Sequence, residues 1–99
     1  MPKEVQLHNE IILFGRIMNR QKNIRCNNRK AIKVKLAIPN DDNYELDPNI
    51  AYVYIYDDGQ IYNQLKVNSA IGINGHIESK WGQKIIVDVL SFIKEPVKE

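Results

Sequence analysis

Two stretches of strict alternation set the terms on which this chain can fold. In residues 31 to 38, Ile32, Val34, Leu36 and Ile38 occupy one parity, and Lys33, Lys35 and Ala37 the other. In residues 51 to 56, Val53 and Ile55 alternate with Tyr52, Tyr54 and Tyr56. A period of two marks a strand with one face buried and the other turned outward. The first strand therefore shows a basic outer face and the second an aromatic one.

The remaining segments also read as strands separated by polar turns. Residues 5 to 18 alternate loosely, with Val5, Leu7, Ile11 and Leu13 on one parity and Ile12 and Phe14 on the other. Gly15 interrupts this run and marks a bulge or sharp bend. Residues 19 to 28 are polar and basic apart from Ile24 and Cys26, and suit a hairpin loop. Residues 40 to 49 are a loop by composition. Asp58 is placed to cap a short helix carrying Ile61, Tyr62 and Leu65, with Asn68 as a left-handed stop. Residues 70 to 80 and 85 to 93 are the last two strands, joined by a hairpin turn over 81 to 84.

Three strands, a short helix and two strands make an all-β chain. The order is that of the five-stranded Greek-key barrel called the OB-fold, with one short helix between strands 3 and 4. Its interior is assigned to Ile12 or Leu13, with Ile32, Val34, Leu36, Val53, Ile55, Ile71, Ile73, Ile77, Ile86 and Val89. Ten such side chains at roughly 1.5–3 kcal/mol each supply about 15–30 kcal/mol. That is adequate without being generous, so a dimer or higher homo-oligomer is expected.

The 99 residues are expected to form a single domain, with a core over about 5 to 93 and a short tail over 94 to 99. No apolar run approaches the ~18 residues of a membrane span, and no signal-peptide pattern is visible, so a cytoplasmic location is expected. The lone Cys26 can form no internal disulfide or thiolate zinc site, and reads as a small apolar filler. His8 and His76 sit in no ligand motif, so no metal and no cofactor are expected. Asp41-Asp42 and Asp57-Asp58 lie in turn contexts without a partnering histidine, where capping explains them. Without a nucleophile–base pair or a phosphate loop, the chain is read as non-catalytic.

The net charge of +2 conceals two opposed blocks. Between residues 16 and 35 stand Arg16, Arg20, Lys22, Arg25, Arg29, Lys30, Lys33 and Lys35, with no acid among them. Between residues 41 and 58 stand Asp41, Asp42, Glu45, Asp47, Asp57 and Asp58, with no base. A basic block of this size points to a polyanion partner. Single-stranded nucleic acid exposes phosphates, which a basic groove tracks, and base faces, on which aromatic rings stack. Tyr52, Tyr54 and Tyr56 supply rings beside Lys33 and Lys35. Trp81, between Lys80 and Lys84, adds a platform at the last hairpin. On this reading Trp81→Ala and Tyr54→Ala weaken binding without unfolding the domain. A tyrosine-rich strand face is equally what β-propensity or a dimer interface selects, and Trp81 also suits packing against a partner protein.

The order of these segments resembles the bacterial single-stranded DNA-binding protein family along almost the whole chain. Asn9-Glu10-Ile11-Ile12-Leu13-Phe14-Gly15-Arg16-Ile17 is similar to that family's first strand, and Ala31 to Ala37 to its second, which ends in Leu-Ala. Tyr52 to Tyr56 lies where the third strand alternates aliphatic and aromatic residues. Ile61 to Ser69 resembles the helix and following turn, Ala70 to Ile77 the fourth strand, Lys80-Trp81 a basic–aromatic pair of the next hairpin, and Val87 to Ile93 the last strand. The helix segment is about two residues short, and Asn68 stands where the family has glycine. The chain stops at residues 94 to 99 without the family's long acidic tail, so in size it is similar to the primosomal replication protein B group.

The resemblance implies non-catalytic binding of single-stranded DNA in replication, recombination or repair, and pairing of copies through the first strand, around Val5 to Leu13, into a homo-oligomer, dimer or tetramer. It fits a bacterial, phage or mobile-element origin. Two alternatives remain open. One is a primosome or helicase accessory that binds a replication protein, which the acidic block favours. The other is an RNA-binding OB domain, since stacking neither requires nor forbids the 2′-hydroxyl.

Overall fold

The computed structural model describes residues 9–39, 49–79 and 82–94. Five strands follow in order: β1 (Ile11–Cys26), β2 (Arg29–Ile38), β3 (Asn49–Tyr56), β4 (Ala70–Glu78) and β5 (Lys84–Phe92). They close into a barrel in the order β1-β2-β3-β5-β4, with β4 returning to β1. This is the expected OB-fold. Every seam is antiparallel except β3 against β5, which run parallel through Val53↔Ile85 and Tyr54↔Ile86.

Strand β1 serves two partners. Ile11 to Arg16 pair with β4, and Arg16 to Cys26 pair with β2. Just ahead of the strand, the Asn9 side chain imitates a ladder residue. Its Nδ2 donates to the Ile77 carbonyl at 2.7 Å, and its Oδ1 accepts from the Ile77 N–H at 2.9 Å.

The loop expected over residues 19 to 28 is instead the second half of β1. The connection to β2 is only Asn27-Asn28, with φ of 53° and 62°. A two-residue hairpin turn needs left-handed backbone at both positions, which asparagine tolerates better than most residues. The strand escapes a parity reading because its register against β2 slips twice, between Ile17 and Asn19 and between Gln21 and Ile24. Each slip inserts one residue and reverses which parity faces outward. Gly15, where a bulge was expected, sits in regular pairing with Ile71. A Cβ at Gly15 would lie 2.8 Å from the Ala37 carbonyl oxygen, so close strand approach explains the glycine.

The helix between β3 and β4 shrinks to one 3-10 turn, Ile61–Gln64. Asp58 Oδ1 accepts the N–H groups of Gln60 and Ile61, each at 2.8 Å, and these bonds hold its carboxyl below the usual carboxylate range. The turn then delivers Leu65, fully buried, into the barrel. Asn68 is indeed left-handed, at φ 74°, but it serves the turn into β4, and its N–H donates to the Ile17 carbonyl at 2.8 Å.

The main core comprises Ile17, Ile32, Val34, Leu36, Val53, Ile55, Leu65, Ile71, Ile73 and Val87. Two expected members are exposed instead. Ile12 is 57% exposed and Val89 58% exposed, and Leu13 is the member of the first pair that packs inward. The cause on β5 is a bulge: Asn74 pairs with Val89 while Gly75 pairs with Val87, so Asp88 is the extra residue and parity reverses. Ile77 is half-buried. Ile86 is buried in a second, smaller cluster with Cys26 and Ala31, under Tyr54 and Tyr56. Cys26 is thus the apolar filler expected of it. Among the described residues no helix is long and apolar enough to cross a membrane.

Candidate nucleic-acid interface

The barrel inherits the two alternating strands as neighbours. Residue by residue, β2 and β3 pair as Lys35↔Tyr52, Lys33↔Tyr54 and Ala31↔Tyr56. On the other side, β1 presents Asn19 opposite Lys35 and Gln21 opposite Lys33. Side chains directly opposite one another share a face. The outer surface therefore carries two rows across three strands, Asn19–Lys35–Tyr52 and Gln21–Lys33–Tyr54. Asn19, Arg20, Gln21, Lys33, Lys35 and Tyr52 line an open groove of about 190 Å³. Neither β2 nor β3 contains a carboxylate, so positive charge on this face goes uncompensated along both strands.

Each ring lies beside a cation. The Lys33 ammonium sits 4.8 Å from the Tyr52 centroid, the Lys84 ammonium 5.5 Å from Tyr54, and the Arg29 guanidinium 3.8 Å from Tyr56. Such distances are within cation–π range. Together, ring and cation offer a flat apolar surface to a base and a positive charge to the phosphate attached to it. The rings differ in what anchors them. Tyr54 and Tyr56 are half-buried against Cys26, Ala31 and Ile86, whereas Tyr52 is 48% exposed. Tyr52 is accordingly the most open platform of the three.

The other basic residues expected at the interface divide into groups. Arg20 and Lys22 reach the ring of Tyr62, at 4.6 and 4.8 Å, beside the 3-10 turn. The Arg20 Nε is buried without a hydrogen-bond partner. Arg25 and Lys30 pair beside the β1–β2 turn, where Arg25 Nη1 donates to the Asn28 carbonyl at 3.2 Å. Arg16 stands apart from the tyrosine rows. Its Nη1 donates to the Asn68 carbonyl at 2.8 Å, and it borders an apolar hollow with Ile12, Phe14 and Ile38. Lys80 and Trp81 lie outside the described residues, as do Asp41, Asp42, Glu45 and Asp47.

Three participants were not expected from sequence. Asn19 and Gln21 join the groove because the slip at Ile17/Asn19 turns them outward. Tyr62, assigned to a helix face, is a fourth ring with cations over it. An Asn-x-Gln pair flanking an arginine offered a weak signal for the first two. Nothing local in the sequence places Tyr62 against residues some forty positions earlier.

A closed five-stranded barrel with cations and rings on its β2–β3 face has the layout that OB-folds use for oligonucleotides and oligosaccharides. The barrel is similar to the dimeric N-terminal domain of PriB from Thermoanaerobacter tencongensis, with a TM-score of 0.70 at 15% identity, covering 88% of this chain and 98% of that one. The mitochondrial single-stranded DNA-binding protein Rim1 of S. cerevisiae gives 0.69 at 12% identity, over 88% and 97% of the two chains. The Plasmodium falciparum SSB in its complex with ssDNA gives 0.56 at 19% identity, over 93% and 100%. No protein-family model matches the chain, and no curated protein matches it significantly in sequence. At these identities the likeness establishes the OB-fold.

Proposed function

We propose that the chain binds single-stranded DNA without catalysing a reaction on it, in support of replication, recombination or repair. The observation that carries this reading is the pair of rows Asn19–Lys35–Tyr52 and Gln21–Lys33–Tyr54, which set cations and rings side by side on strands that carry no carboxylate. The similarity to Rim1 and to the Plasmodium protein, both associated with single-stranded DNA, supports it. Arg20, Lys22, Arg25, Arg29, Lys30, Lys80, Trp81 and Lys84 extend the surface on this reading, and Arg16 contributes least. Two or three stacked bases at about 1–3 kcal/mol each, with several phosphate contacts, reach micromolar affinity, about −8 kcal/mol.

Titrating dT oligomers while following Trp81 fluorescence tests the proposal. Quenching is expected, with an affinity that falls as salt rises. About four phosphate contacts give a slope near −3 in log K against log salt. An affinity indifferent to salt removes the phosphate contacts from the reading, and absence of binding by any method at low salt ends it. Equal affinity for RNA of the same length would broaden the substrate class.

The chain is also proposed to self-associate. Ile12, Phe14 and Val89 stand 57–60% exposed on the outer face of β1, β4 and β5, away from the tyrosine rows. Exposed apolar patches of this kind mark association surfaces, and the PriB domain of the same fold is dimeric. Phe14→Glu places a charge in the patch and is expected to yield monomers in sedimentation velocity. An unchanged oligomer would move the interface elsewhere.

A further inference from the structure

His76 stands on β4 with both ring nitrogens engaged by carboxylates. Its Nδ1 lies 2.7 Å from Asp88 Oδ2 on β5, and its Nε2 lies 2.6 Å from Glu78 Oε2 on its own strand. A neutral imidazole has one N–H and one lone pair. It can donate to one of these carboxylates but must present its lone pair to the other. Only the imidazolium satisfies both. Asp88 first and Glu78 second accordingly hold the ring charged to higher pH than the ordinary imidazole range, against a smaller opposing effect of burial.

The contacts continue beyond the ring. Glu78 Oε1 accepts from Asn27 Nδ2 at 2.8 Å, and the same Asn27 amide donates to the Tyr56 hydroxyl at 2.9 Å. Asn27 is half of the two-residue β1–β2 turn, and Tyr56 carries the Arg29 guanidinium on its face. An unbroken path thus runs from β5 through His76 and Glu78 to a ring of the nucleic-acid face. Among the described residues, other charges on the surrounding elements are few. On β5, Lys84 pairs in register with Glu78 and its ammonium lies over Tyr54. On the β1 side, Glu10 immediately precedes Ile11, which pairs with Gly75. Near the turn stand Arg25 and Lys30.

We propose that His76 is a positioning residue: its protonated ring fixes Glu78, and through Asn27 fixes the β1–β2 turn and the Tyr56–Arg29 pair, so that single-stranded DNA binds more tightly below the ring's titration than above it. This rests on the reading of the β2–β3 face as the DNA site. Loss of the ring proton turns a lone pair instead of an N–H toward one of the two carboxylate oxygens. When that oxygen is Glu78 Oε2, the Glu78 carboxylate is held less firmly, and so is the turn that bonds to it through Asn27. Folding raises the affinity of the ring for its proton. The stabilisation it brings is therefore complete below about pH 6.5, the unfolded value, and is lost as pH rises through the higher folded value.

The test is dT-oligomer affinity from about pH 5.5 to 9 at fixed ionic strength, with the His76 ring titration followed by NMR on the same chain. The native chain is expected to lose about three- to tenfold in affinity, the worth of roughly one hydrogen bond, in one step at the pH where His76 titrates. His76→Gln, which keeps a donor and an acceptor, is expected to be flat and to sit at the high-pH affinity. His8→Gln is expected to keep the step. Asn27→Ala is expected to lose the step while His76 still titrates. A step that survives in His76→Gln, or a flat native profile across the His76 titration, overturns the proposal. Should the chain bind no DNA at any pH, the reading of the face fails separately. The positioning role is then decided by whether the Asn27 side-chain amide and Tyr56 resonances move with His76, and unmoved resonances overturn it.

Discussion

A Tyr52→Ala chain is expected to melt as the native chain does and to bind dT oligomers about 5- to 150-fold more weakly. The range follows from about 1–3 kcal/mol per stacked base, at about 1.4 kcal/mol per decade. Two observations make Tyr52 the cleanest site for this measurement. Its ring is 48% exposed, so removing it opens no hole in either apolar cluster. It also lies in the groove with Lys33 and Lys35, so a base stacked on it would carry its phosphate toward their ammonium groups. Tyr54→Ala is expected to behave differently. Its ring covers Cys26, Ala31 and Ile86, so affinity and melting temperature are expected to fall together while the domain still folds. Tyr52→Phe keeps the ring and is expected to retain most of the affinity. Native-like binding by Tyr52→Ala, measured by fluorescence anisotropy, would remove this ring from the binding face.

Replacing Gly75 with alanine is expected to destabilise the barrel strongly. A Cβ there would lie 2.2 Å from the Ile86 carbonyl oxygen, 3.1 Å from its carbon and 3.3 Å from the Val87 Cα. All three are backbone atoms of the strand that pairs with β4 at its bulge, so no side chain can rotate away. The strands must part, and with them the pairing that turns Val87 inward and Asp88 toward His76. A cost of about 3 kcal/mol or more is set against the roughly 5–15 kcal/mol that a domain of this size holds. At about 4–8 °C per kcal/mol, the melting temperature falls by about 12 °C or more. Gly72→Ala is the control, because its Cβ would meet only the ring of Phe14, which is 60% exposed and free to turn. A calorimetric scan that shows equal, small shifts for both would mean that β4 and β5 can slide past one another.

The sequence was most legible where a strand keeps a constant register. Residues 31 to 38 and 51 to 56 run without a slip, so their period of two places Ile32, Val34, Leu36, Val53 and Ile55 inside and the lysines and tyrosines outside. Bulges defeated the same reasoning elsewhere. Val89 reads as core until one extra residue on β5 moves that role to Val87. Asn19, Gln21 and the second half of β1 read as a loop because composition is all that remains when parity reverses twice. Long-range neighbours were out of reach by any local pattern. His76 reads as an ordinary strand residue, and only the closing of β5 on β4 brings Asp88 to its ring. Tyr62 likewise meets Arg20 only once the barrel is formed.

The barrel is a ring of five seams, and a ring is as firm as its narrowest join. That join is β3 against β5, two residue pairs wide, between positions more than thirty residues apart in the chain. It gains the fewest residue pairs for one of the longer chain closures, so it is expected to zip last during folding and to open first in the native state. Tyr54 stands on one lip of the join and Lys84 on the other, already facing each other at 5.5 Å. A ligand that touched both residues would lie across the gap like a staple and become part of what keeps the cylinder shut.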